Sequence, residues 1–169
     1  MGANFDSVVQ QMHDRLGANA VPIQMPVGAE DQFRGIIDII CEKYTTYEDV
    51  EGLEVVKSEI PAEFKEKVAK YRHHLIEKLA EIDHSIMEKF VEGKEVSIDD
   101  MMFAIRCGVV KNQIVPVLCG ASLKNKGVQM LIDAVCDFLP SPLEVPPVSG
   151  IDPKTEEYTE RTASDKEPL

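Results

Sequence analysis

Apolar residues recur at steps of three and four between Phe64 and Phe90: Phe64, Val68, Tyr71, Leu75, Leu79, Ile82, Ile86 and Phe90. That is the period of a helix with one buried stripe, and nowhere else in the chain is it cleaner. Pro61 opens the stretch, where a missing N–H costs nothing, and Gly93 stops it. Asp83, His84 and Ser85 are weaker helix formers and mark an expected break. A first helix is expected from Phe5, Val8, Val9, Met12 and Leu16, which share a face ahead of Gly17. Ser97 reads as an N-cap, with Asp99 and Asp100 in the first turn and Met101, Met102, Ile105 and Val109 facing inward. A last helix is expected over Val128 to Phe138, ended by Pro140.

Between the helices the pattern changes to that of strands. Val21 to Val27 is apolar but interrupted by Pro22 and Pro26, which suits an edge strand or an extended link. Phe33 to Tyr47 is rich in β-branched and aromatic residues and reads as one strand. Asp49 to Gly52 signals a turn, and Leu53 to Ile60 returns as the second strand of a hairpin. Ile114 to Leu118 is a continuous apolar run of the kind buried on both faces of a parallel sheet. The loop Gly120 to Gly127 comes after it. The pattern is therefore α/β, with an α+β insert: an antiparallel hairpin sheet, long amphipathic helices, and one strand–loop–helix unit near the end. One such strand cannot form its own sheet, so either its partner strands are missing or the element packs unusually, and the chain reads as a fragment.

Composition narrows the classes of function. The 169 residues are 44% hydrophobic with no Trp, enough for a core, and carry a net charge of −12. Such acidity argues against direct contact with nucleic-acid phosphate and favours either solubility alone or a basic protein partner. Cys41, Cys107, Cys119 and Cys136 form no CxxC pair and lie in apolar runs, as small buried hydrophobes would in a reducing, cytoplasmic setting. No apolar run is long enough to cross a membrane. Met1-Gly2 does not start a myristoylation motif, because Asp6 stands where Ser or Thr is needed. Six of the ten prolines fall between Pro140 and Leu169, which reads as a linker.

Several stretches in collinear order resemble translation elongation factor G. Met1-Gly2-Ala3-Asn4-Phe5 is similar to the segment just after that family's guanine-specifying motif. Arg15 to Gln24, Gly28-Ala29-Glu30 and Phe33 to Asp38 resemble its next signatures. Gly120 to Gln129 resembles its last guanine-contact loop, and Leu139 to Pro146 its exit toward the second domain. Ala163 to Leu169 resembles the approach to that domain. Thr45 to Lys111 matches in pattern more than in words and corresponds to the family's G-prime insert. On this resemblance, residues 1–20 are the GTPase-domain helix after the specificity motif and 21–112 the insert. Residues 113–139 are then the last strand, guanine-contact loop and helix of a P-loop GTPase domain, and 140–169 the linker.

The resemblance implies a factor that drives GTP-dependent ribosomal translocation. It also implies a guanine edge at Ala121, Ser122 and Leu123, met largely through backbone N–H. The loop departs from the family's usual Gly-Ser-Ala, reading Gly120-Ala121-Ser122. The phosphate-binding G-x-x-x-x-G-K-[ST] motif and the switch loops are absent, so GTP and Mg²⁺ are expected in an intact factor and neither on this chain.

Glu77 and Glu81 lie four residues apart, a like-charge pair costing a few tenths of a kcal/mol (roughly 0.2–0.5). The resemblance supplies a reason: acidic residues of this insert helix meet the basic C-terminal domain of the ribosomal stalk protein. Glu77, Glu81 and Glu88 are the expected patch; a solvated helix face is the plainer alternative. No catalytic residue and no metal site is expected. His73 and His84 are too far apart on one helix to share an ion, adjacent His73 and His74 point to different sides, and a first helical turn explains Asp99-Asp100. Two other readings stay open: a related translational GTPase of the ribosomal-protection or release class, or a stand-alone acidic binding module. Truncation would also expose an apolar sheet edge to self-association.

Overall fold

The computed structural model describes residues 2–49 and 51–164. Val50 in the expected turn and residues 165–169 of the Ala163 to Leu169 stretch lie outside the described residues. Among those described, five helices and eight strands alternate in the order α1, β1 to β5, α2 to α4, β6, α5, β7, β8. The class is mixed α/β, with a four-stranded antiparallel sheet and a separate parallel pair.

The helices follow their caps. α1 (Phe5–Leu16) starts on Asn4, whose side chain accepts the Ser7 N–H, and ends on Gly17 in the left-handed region. Its apolar face is only partly covered: no residue of α1 is buried, and Leu16 is 74% exposed. The Tyr71 hydroxyl donates to Asp6 and ties α1 to α2. The long periodic stretch is two helices, α2 (Ala62–Ala80) and α3 (His84–Val91). The break falls at the weak helix formers, because the Asp83 carboxylate caps α3 by accepting the Ile86 N–H at 3.0 Å. α4 (Ile98–Val110) begins on a capping box: Ser97 Oγ accepts from the Asp100 N–H while the Asp100 carboxylate accepts from the Ser97 N–H.

The strands depart from the sequence reading in two places. Val21 to Val27 splits at Ile23 into β1 (Ala20–Pro22) and β2 (Gln24–Val27). β1 runs parallel to β6 (Val115–Val117), with Ala20 opposite Val115 and Pro22 opposite Val117. The α/β strand near the end of the chain therefore has a partner within the chain, against the expectation of a lone strand. Pro22 hid the partner, since proline argues against a sheet interior; here it sits at the last position of β1. Pro26 lies in β2, an edge strand of the antiparallel sheet β2-β3-β4-β5.

The second departure is that Phe33 to Tyr47 is not one strand. β3 (Gly35–Asp38) and β4 (Lys43–Tyr47) are joined by a turn over Ile39 to Glu42. The Asp38 carboxylate accepts the N–H groups of Ile40 and Cys41 at 2.8 and 2.9 Å, and Glu42 takes φ 52. Burial pushes the Asp38 carboxyl above its ordinary range, and those two N–H groups pull it back. The turn is apolar because Ile39 and Ile40 are buried, and Arg72 from α2 donates to both of their carbonyls at 2.8 and 2.6 Å. β5 (Val55–Glu59) closes the predicted hairpin with β4.

One core joins these elements. Met25 and Ile37 from the sheet and Ile39 from the β3–β4 turn meet Val68, Leu75 and Leu79 of α2, Ile86 of α3, Met101 and Ile105 of α4, and Phe138 of α5 (Val128–Phe138). Burying each such side chain contributes about 1.5–3 kcal/mol. After Pro140, β7 (Val148–Ile151) and β8 (Tyr158–Arg161) form a small hairpin where only a linker was expected. All of β7 is exposed, so the hairpin adds nothing to the core.

Candidate functional site

Two regions carry the chemistry that the sequence points to. The first is the loop between β6 and α5. In open α/β sheets, ligands bind beyond the carboxyl ends of parallel strands, and this loop leaves the carboxyl end of β6. Leu118, Cys119 and Gly120 lead into a short 3-10 turn at Ser122–Lys124. Asn125 and Gly127 then take φ 51 and 85, and α5 begins at Val128.

The loop closes on itself. The Ala121 N–H donates to the Lys126 carbonyl at 2.9 Å, and the Lys126 N–H returns to the Ala121 carbonyl at 3.2 Å. Lys124 and Asn125 donate to the carbonyls of Ala121 and Ser122. Among the three expected guanine-edge residues, Ala121 therefore spends its N–H inside the loop. Ser122 and Leu123 keep theirs outside that closed ring, and the Leu123 side chain is fully exposed. A cleft of about 220 Å³ lies beside the loop, lined in part by Leu118, Gly120, Ser122, Lys126 and Leu131. Cys119 also lines it, and burial pushes its thiol up to about 12, so it stays protonated and is no nucleophile at neutral pH. The lining is mainly apolar, with the Ser122 hydroxyl and the Lys126 side chain as its polar groups.

The second region is the acidic face of α2 and α3. Glu77 takes two histidines, His73 at 3.3 Å and His74 at 3.6 Å. Glu81 takes Lys78 at 2.8 Å, and Glu88 takes His84 at 3.5 Å. All three carboxylates are exposed. Glu81 is the C-cap residue of α2, where the helix dipole disfavours an acid. Glu88 lies beyond the break, so the expected patch spans two helices instead of one. His73 helps to hold them together by packing on Phe90, with ring centroids 5.4 Å apart.

The remaining chemistry-bearing residues have structural roles. Asp100 accepts from Ser97 and pairs with Lys89 at 2.5 Å. Cys41 and Cys136 are exposed, contrary to the expectation that the cysteines are buried. Among the described residues no group of three His, Cys, Asp or Glu could hold a metal, and no helix is long and apolar enough to cross a membrane. Tyr47 and Gly52 touch the loop and Gln129 donates to Gly52, and sequence reasoning gave none of the three a role in it, because contacts across 80 and 77 residues leave no local pattern.

No protein-family model matches the chain. Its fold is similar to that of a protein from Thermus thermophilus known from a crystal structure, with a TM-score of 0.72 and 27% sequence identity. The match covers 86% of this chain and 22% of the other, so the chain spans about a fifth of the length of that protein.

Proposed function

We propose that this chain is the insert and the last strand–loop–helix unit of a translational GTPase of the elongation factor G type, and that it docks the ribosomal stalk protein. The observation that carries this reading is the place of the Gly120–Gly127 loop. A loop whose sequence resembles a guanine contact leaves the carboxyl end of a parallel strand, beside a mostly apolar cleft. In the intact factor, Ser122 and Leu123 offer backbone N–H groups to the guanine edge, and Ala121 shapes the loop. The G-x-x-x-x-G-K-[ST] motif is absent from this sequence, so GTP phosphates and Mg²⁺ are held by other parts of a longer cytoplasmic protein.

In this reading the docking work falls to Glu77, Glu81 and Glu88. An acid at the C-cap of α2 and a like-charge pair four residues apart both disfavour the helix, a cost that Lys78 beside Glu81 offsets in part. Placing them on an exposed face is consistent with a basic partner that offsets those costs. Charge complementarity of this kind speeds encounter and fixes orientation. Reversing Glu77 and Glu81 to lysine is expected to weaken binding of the stalk protein's C-terminal domain at least tenfold in calorimetry, with helicity unchanged. Unchanged affinity would refute the docking role.

A further inference from the structure

The loop between β4 and β5 reaches across the molecule and touches the Gly120–Gly127 loop at several points. The Tyr47 hydroxyl, at the end of β4, accepts the Gly127 N–H at 2.6 Å. Tyr47 is buried, and burial raises its phenol above the ordinary range, so the oxygen stays a neutral acceptor and donor at all physiological pH. The Lys126 ammonium lies 5.8 Å from the centre of the same ring. Gly52 is packed so closely that a Cβ there would meet the Lys124 carbonyl oxygen at 2.5 Å, and its φ of 68 also favours glycine. From α5, the Gln129 amide N–H₂ donates to the Gly52 carbonyl at 3.1 Å.

Gln129 makes this contact at a cost. Its side-chain oxygen is buried with no hydrogen-bond partner. An orphaned buried acceptor is destabilising, and an apolar residue of similar size would avoid it. A polar group kept under that penalty is consistent with a requirement for the one bond it does make, to Gly52.

The backbone on the other side is equally constrained. Gly127 takes φ 85, and a Cβ there would meet the Cys119 carbonyl oxygen and the Ile36 side chain, both at 2.8 Å. Ile36 is a fully buried β3 residue. The loop is therefore held between β3 and the β4–β5 turn, both parts of the antiparallel sheet.

We infer that Tyr47, Gly52 and Gln129 are positioning residues for the Ser122–Gly127 loop, so that the antiparallel sheet sets how the loop presents Ser122 and Leu123 to a ligand. The ligand class, a guanine base, rests on the reading given under Proposed function; the brace itself does not. The sheet thereby becomes a mechanical support of the strand-end site as well as a scaffold for the acidic helices. Tyr47 touches no reacting group in this arrangement and acts through Gly127 and Lys126.

The test is amide hydrogen exchange on the whole 169-residue chain, which involves no nucleotide and is independent of that reading. Tyr47→Phe keeps the ring and removes only the hydroxyl that accepts from Gly127. It is expected to speed exchange at Gly127 at least tenfold, with Ile37, Leu75 and Leu79 in the core unchanged. Gly52→Ala is expected to shift the Lys124 and Asn125 amide resonances, while Val91→Ala, on an exposed side chain of α3, leaves Gly127 exchange as it was. Two results would overturn the inference: Gly127 exchange untouched by Tyr47→Phe, or acceleration shared equally by the core, which would make Tyr47 an ordinary packing residue.

Discussion

Asp100 gathers three donors: the Ser97 N–H at 3.1 Å, the Ser97 hydroxyl at 2.6 Å and the Lys89 ammonium at 2.5 Å. The Lys89 bond, followed by the two from Ser97, holds its carboxyl down at about 2, below the usual aspartate range. A carboxyl depressed on folding stabilises the native state above its unfolded value, near 3.9. That contribution is lost as pH falls through the folded value, so the window runs from about pH 4 down to about pH 2. Amide exchange in the first turn of α4 is expected to quicken across that window. In Asp100→Asn the first turn is already loosened at neutral pH, and the step is missing. A first turn whose protection does not change between pH 4 and pH 2 would show that the capping box is not what anchors it. At this scale the sequence was informative on Ser97 as a cap and Gly17 as a terminator, and it did not single out Asn4, whose side chain accepts from Ser7. It was silent on Tyr47, whose partner Gly127 lies 80 residues away.

The elements show why helices were more legible than strands. A cap and a period of three to four are local signals, and α1, α4 and α5 begin and end close to where those signals fall. The α2–α3 break was visible only through the weak helix formers Asp83, His84 and Ser85, because the apolar stripe runs through it unchanged from Leu79 to Ile86 and Phe90. Asp83→Ala is expected to cost about 1 kcal/mol by removing the α3 cap, read as a lower urea midpoint at unchanged slope. No change in the midpoint would mean that packing on α2 alone fixes the break. Strand boundaries were misread where burial, not strand pairing, set the composition. Ile39 and Ile40 look like strand residues but form a turn, and Arg72, from a helix more than thirty positions on, satisfies their carbonyls. No rule of local pattern anticipates an arginine arriving from that distance.

For the whole molecule, the parallel pair β1–β6 and the antiparallel sheet share one hydrophobic core, in which Val21 and Ile114 sit with Ile37 and Leu75. The sequence suggested the strand–loop–helix unit but not its partner β1, since proline at the end of that strand disguised it. The strand-end loop is thereby seated on a sheet, and under the proposed reading this chain carries only the base side of a nucleotide site. Equilibrium dialysis with GTP and Mg²⁺ is expected to show no tight binding by the 169-residue chain. Tight binding would mean that phosphate is held by groups the G-x-x-x-x-G-K-[ST] logic does not include.

The central claim is that the α2–α3 face docks a basic partner. Its most direct test is to titrate this chain with the C-terminal domain of the ribosomal stalk protein and follow amide shifts at low and moderate salt. The account predicts shifts confined to the Glu77–Glu88 face that shrink as salt rises, because exposed charges are screened over about 10 Å at 0.1 M. An absence of shifts at low salt, or shifts spread over other surfaces with no dependence on salt, would contradict it.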